Sequence, residues 1–287
     1  MTATRTILEK VVDVDAHEGP VHVEGERALY FTSLTHDVKR LDLVTHEVTT
    51  VLADANGANG MTLGRDGRLL VCEQGSFEQP ARISALDPAT GAAETVVDNW
   101  CGLALNSPND IVVAADGAIW FTDPSYGYLQ GFRPQPQTGD HVYRHDPSTG
   151  ETAVVDDSFD KPNGLAFSPD GSILYVGDSG ANHEPGSYDP YRPHHVIAFD
   201  VVDGRGLENP RLFCVTTPGF PDGLKVDGRG FVYTSAFDGV HIYTPDATLV
   251  RKLQLPGAVN FDFDEDDSTL FVTTDTAVWA ADLTKGA

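Results

Sequence analysis

The sequence predicts an all-β fold: a six-bladed β-propeller with four antiparallel strands per blade, spanning residues 1–287 as a single domain. Three observations predict it. One pattern recurs six times, with starts 38 to 59 residues apart, at Glu18, Asn59, Asn109, Asn163, Asp222 and Asn260. Within each copy a turn follows seven residues on, at Asp66, Asp116, Asp170 and Asp267 among others, and then an apolar run. Those runs stack as LYFTS, LLVCE, IWFTD, LYVGD, FVYTS and LFVTT, β-branched and aromatic strands after a tight turn. A β-sandwich would carry no such period.

A second hairpin follows most copies, as in ARISALDPATGAAETVV and HVYRHDPSTGETAVV, which completes four strands per unit. The sixth copy ends one strand short, after TAVWAADLT. The opening segment RTILEKVVDV is a strand with no place in the first copy. It is expected to close the last blade from the other end of the chain, leaving no open edge.

Composition narrows the function. Nineteen Lys and Arg against 43 Asp and Glu give a formal net charge of −24. That excludes nucleic acid and anionic membrane as partners, since phosphate needs cationic contacts. It suits cation binding, although most of the charge is a solvated surface. No apolar run approaches a membrane span, and residues 1–10 lack a signal-peptide core. Cys72, Cys101 and Cys214 lack metal-site spacing and are expected as buried thiols of a reduced, cytoplasmic protein. The oligomeric state is not encoded in any feature of this kind.

The six copy starts open the innermost strands, so they ring the mouth of the central channel. The ring offers Glu18 and Asp222 as carboxylates and Asn59, Asn109, Asn163 and Asn260 as amides. Oxygen donors on a narrow axis are what a hard divalent cation such as Ca²⁺ takes. Two carboxylates there repel each other unless a cation lies between them. For Asn59 and Asn260 the simpler expectation is turn chemistry at a strand start. Two long connections, 124–140 and 179–195, fall on the ring face and are expected to overhang it as binding loops. They carry Tyr126, Phe132, Arg133, Tyr188, Tyr191 and Arg192 as candidate pocket residues. His17 neighbours Glu18 but is left without an assigned role, a lone histidine being more often structural. His194 and His195 point to opposite faces of a strand and cannot easily share one ion. No nucleophile elbow, phosphate loop or HExxH motif is present.

These residues resemble the regucalcin (senescence marker protein)/gluconolactonase family of six-bladed propellers over nearly the whole chain. The resemblance is carried by EGPV at 18–21, SPNDIV with GAIWFTDP within 107–124, PNGLAFSPDG at 162–171 and PDGLKVD at 221–227. It implies one divalent metal ion, Ca²⁺ ahead of Zn²⁺, Mn²⁺, Mg²⁺ or Fe²⁺, held by Glu18, Asn109, Asn163 and Asp222. It implies Asp222 as the catalytic general base and Asn109 as a substrate contact. Ser107 stands where many sugar lactonases have Arg, so Arg133 or Arg192 is expected to supply a cation from the loops, with Tyr126 beside them. The implied activity is a metal-dependent lactonase opening a sugar lactone such as gluconolactone. The alternatives are a phosphotriesterase or aryl esterase on the same metal, or a non-catalytic Ca²⁺-binding propeller.

Overall fold

The computed structural model describes residues 8–183 and 186–285. Six four-stranded antiparallel sheets form the blades. In sequence order, blades 1 to 5 begin with the inner strands Val21–Val23, Ala58–Leu63, Ile111–Val113, Pro162–Phe167 and Leu224–Val226. In blade 6 the order runs inward from Leu8–Asp13 through Ala277–Asp282 and Thr269–Thr274 to Ala258–Phe263. The N-terminal strand thus closes the ring, pairing Leu8 with Ala281 and Asp13 with Ala277. The first residues of the segment expected to do this, 5–7, lie outside the described residues. Among the described residues no helix is long and apolar enough to cross a membrane.

The core lies between blades rather than at the axis. Phe121, Tyr143, Ile83 and Cys72 fill the seam between blades 2 and 3. Leu29, Phe31, Leu41 and Val278 fill the seam that joins the last blade to the first. Each such buried side chain contributes about 1.5–3 kcal/mol by leaving water.

The threonines that recur in the second strands have a specific task. Thr32 Oγ1 donates to the Asn59 carbonyl at 2.9 Å, and the single hydroxyl hydrogen of Thr273 is shared between the His17 carbonyl at 2.7 Å and the Asn260 carbonyl at 3.0 Å. Both are fully buried and hold an inner strand at a ring position. The glycines after the ring residues serve close approach, not turns. A Cβ on Gly60 would lie 2.3 Å from the Asn109 carbonyl, and one on Gly164 2.2 Å from that of Asp222. Their N–H groups donate to those same carbonyls at 2.8 and 3.0 Å. Adjacent blades are therefore stitched together at the axis by main-chain bonds that only glycine admits.

Two features were not foreseen. A small hairpin, Asn99–Trp100 with Leu103–Ala104, stands between blades 2 and 3. It carries Cys101 at φ 52° and exposes it, against the expectation that all three thiols are buried. A polar hairpin tip has no core to bury it in. The connection 124–140 also contains one helical turn, Tyr126–Leu129.

Candidate active site at the channel mouth

The inner strands deliver Glu18, Asn59, Asn109, Asn163 and Asp222 to one cavity of about 360 Å³. Glu18, Asn109 and Asn163 are 2%, 6% and 4% exposed, and Asp222 is half-buried. Three of them are fixed through their main chains. The Glu18 carbonyl accepts from Thr32 N at 2.8 Å, and Asn109 N donates to the Thr122 carbonyl at 2.9 Å. Asp222 N donates to Ser235 Oγ at 3.0 Å. Side-chain direction then follows from backbone that cannot shift.

Burial and mutual repulsion govern the charges. Burial, then the Asp110 carboxylate, pushes Glu18 up to about 7. The Asn260 amide, Gly19 N–H and Lys225 act against this rise. Burial, then Glu18, raises Asp222 in the same way, opposed by His17 and the Asn163 amide. Asp110, buried beside them, is pushed up to about 6 by burial, with Lys225 opposing. Like charges crowded in a buried site disfavour their own ionised forms, and a bound cation would relieve that repulsion.

The donor set fits a divalent cation. Asn109 Oδ1 and Asn59 Oδ1 are buried without a hydrogen-bond partner. An orphaned amide oxygen beside two carboxylates is a ready hard ligand. Among the described residues no three His, Cys, Asp or Glu side chains cluster as a metal site of those types alone. The ring mixes carboxylates with amides instead.

The two long connections do reach the cavity. The first supplies Tyr126, Gln130 and Phe132, and the second Asn182. Residues 184 and 185 of the second lie outside the described residues. Tyr126 is buried, and its hydroxyl donates to the Ser179 carbonyl at 3.2 Å, joining one loop to the other.

The two arginines are placed differently from expectation. Neither Arg133 nor Arg192 lines the cavity. Arg133 is 6% exposed, and its guanidinium donates to the main-chain carbonyls of Ser76, Gln79, Leu105 and Asn106. A buried guanidinium needs its donors satisfied, and inward-turned loop carbonyls satisfy these. Arg133 is a strut under the first loop. Arg192 is held by an ion pair with Asp160 at 2.9 Å. Ser107 is also structural, donating to the Pro124 carbonyl at 2.6 Å and accepting from Gly127 N at 2.9 Å.

Other participants escaped sequence reasoning. Asp110 and Lys225 follow ring residues closely in NDI and DGLK, but their inward direction depends on strand geometry that a motif does not state. Asn260 turns out not to be a turn residue: it is 1% exposed and bonds Glu18.

Comparison with known proteins agrees with this fold. A family model described as "SMP-30/Gluconolactonase/LRE-like region" matches residues 16–276. A gluconolactonase of Zymomonas mobilis is 30% identical over 288 residues, covering 91% of this chain and 76% of its own. The lactonohydrolase oryL of Aspergillus oryzae is 31% identical over 83% of this chain and 61% of its own length. Among solved structures, a Xanthomonas campestris gluconolactonase superposes with a TM-score of 0.85 at 32% identity, over 98% of this chain and 91% of that one.

Proposed function

Because the chain belongs to the SMP-30/gluconolactonase/LRE-like family, we propose that it is a divalent-metal-dependent hydrolase that opens the ring of a sugar lactone of the gluconolactone type. The reading is carried by one observation: Glu18, Asn109, Asn163 and Asp222 converge on a single polar cavity under two loops. Those four residues would hold the ion. Bound there, a divalent cation polarises a carbonyl and acidifies water.

The chain's own residues do the rest. Asp222 accepts the proton that the attacking water releases. Asn109 and Asn163 orient the lactone by hydrogen bonds from their amide nitrogens. Gln130, Asn182 and Asn59 border the cavity with further neutral donors and acceptors suited to a polyhydroxylated ring. Tyr126 and Phe132 cover it and limit the access of bulk water.

Metal analysis of the purified protein, followed by hydrolysis of a panel of lactones, aryl esters and organophosphates with and without chelator, tests this. Chelator-sensitive lactone opening is expected to exceed the other activities. Preferential turnover of phosphotriesters or aryl esters overturns the substrate class. Stoichiometric metal with no hydrolysis leaves a binding propeller. Glu18→Gln removes an anionic ligand and is expected to weaken metal binding sharply.

A further inference from the structure

We propose that His17 is a further catalytic residue of this site, hydrogen-bonding the attacking water through Nε2, and that Asp275 is the positioning residue that fixes its ring. The proposal rests on the hydrolase reading above. His17 Nδ1 lies 2.8 Å from Asp275 Oδ1. An ionised carboxylate only accepts, so the hydrogen of this bond sits on Nδ1. In the neutral ring Nε2 is then the acceptor. His17 lines the cavity together with Glu18, Asn109, Asn163 and Asp222.

The fold holds this residue without using its imidazole. His17 N donates to the Thr32 carbonyl at 2.8 Å. Its own carbonyl accepts from Thr273 Oγ1 at 2.7 Å. Blades 1 and 6 thus grip the main chain, while the side chain stays 31% exposed rather than packed in the core. Asp275 is set as firmly. It occupies the two-residue turn between Thr269–Thr274 and Ala277–Asp282. That turn is closed by Thr274 Oγ1 donating to the Ala277 carbonyl at 3.0 Å, and by Val14 N donating to the Thr276 carbonyl at 3.0 Å. A hairpin tip with a braced main chain therefore sets a carboxylate against Nδ1 of a histidine that lines the cavity.

The chemistry gives this pair a task. An attacking water has two hydrogens and must point a lone pair at the carbonyl carbon. Asp222 takes one hydrogen and becomes its proton acceptor. A second acceptor on the other hydrogen fixes the remaining rotation of the water. His17 Nε2 supplies that acceptor and releases no proton itself. Orienting a reactant in this way lowers the barrier by removing its rotational freedom before reaction.

The test compares the wild type with His17→Phe, His17→Gln, Asp275→Ala and the His17→Phe/Asp275→Ala double variant. D-glucono-δ-lactone is the substrate and Ca²⁺ is saturating. His17→Phe is expected to lower kcat by about 10- to 100-fold, with Ca²⁺ affinity by calorimetry within about twofold. His17→Gln, whose amide oxygen accepts, is expected to recover part of the loss. Asp275→Ala should cost about tenfold alone and nothing further in the His17→Phe background, as expected of two residues acting as one unit. Nitrogen-15 NMR of His17 should show Nδ1 protonated and Nε2 not, with the Nε2 signal moving when D-gluconate binds. A His17→Phe rate within about twofold of wild type, or equal Asp275→Ala losses in both backgrounds, overturns the proposal. An Nε2-protonated ring overturns it too, and does so even if the wild type opens no lactone, an outcome that would separately sink the hydrolase reading.

Discussion

Asn260 Nδ2 donates to Glu18 Oε2 at 2.7 Å, across the seam where the last blade meets the first. Both side chains are almost fully buried. The bond makes ring closure and the acidic site one structure, because the residue that seats the carboxylate lies 242 positions away along the chain. Asn260→Leu would leave Glu18 with Gly19 N, at 3.1 Å, as its remaining donor. Losing a buried bond of this kind costs about 1–3 kcal/mol. Denaturant unfolding should show that loss, and calorimetric titration should show weakened Ca²⁺ binding at pH 7. Unchanged Ca²⁺ affinity would mean that Glu18 needs no such seat.

The raised carboxylates predict an inverted pH profile for the metal-free protein. Glu18 is pushed up to about 7 and Asp110 to about 6, chiefly by burial, and Asp222 is raised as well. Unfolded carboxylates titrate near about 4. Between those limits the folded state holds more protons than the unfolded one, so stability falls as pH rises. Each group contributes up to about 1.4 kcal/mol per pH unit within its window. Surface carboxylates such as Asp170, held near about 2 by its Ser168 and Ser172 hydrogen bonds, act with the opposite sign only in strong acid. Unfolding in chelator from pH 5 to 8 should therefore show declining stability, and added Ca²⁺ should protect more as pH increases. Asp123, likewise pushed up to about 7 by burial, adds to the fall, while the buried imidazoles of His141, His145, His195 and His241, held below the usual histidine range, oppose it below about pH 6.5. A profile flat between about pH 6.5 and 8 would show that burial does not hold these carboxylates protonated.

Much of this was legible before any coordinates. Repeat spacing located all six blades, and the short sixth copy foretold the closing strand Leu8–Asp13. The ring residues were readable because topology alone sends every inner strand to the axis. What escaped depended on choices made after the backbone was set. Arg133 sits in a binding-type loop, yet its fate was decided by four carbonyls contributed by two separate stretches of chain. Asn260 looked like an ordinary strand start, since its partner Glu18 belongs to the first blade. His17 could not be weighed without knowing that the Asp275 turn would arrive beside it.

The loops share a charged latch. Lys161 is 4% exposed, with its amino group 3.1 Å from Asp160 Oδ1 and 3.3 Å from Asp140 Oδ1. Asp140 ends the first loop, and Asp160 also holds Arg192 of the second. Lys161→Met keeps the apolar stem and removes the charge. It should raise KM for a lactone by several-fold and change substrate preference, while Ca²⁺ affinity stays close to wild type. Shortening 124–140 or 179–195 should shift the same two quantities more strongly. An unchanged substrate profile would show that the loops do not select the substrate.

Asp222 is expected to matter beyond retaining the metal. A carboxylate that ligates a cation is a weakened base, because the positive charge stabilises its ionised form. Burial and the neighbouring Glu18 pull the other way and keep its affinity for a proton high. Asp222→Asn preserves an oxygen ligand and removes the proton acceptor. With the metal site saturated, kcat should fall by about 10²–10⁴-fold, the usual range for a lost general base. The competing account makes Asp222 a ligand and nothing more, and it then predicts rescue of the variant by excess metal. Measuring kcat against Ca²⁺ concentration for both proteins separates the two. A plateau far below wild type assigns the proton to Asp222, whereas recovery to the wild-type rate would take it away.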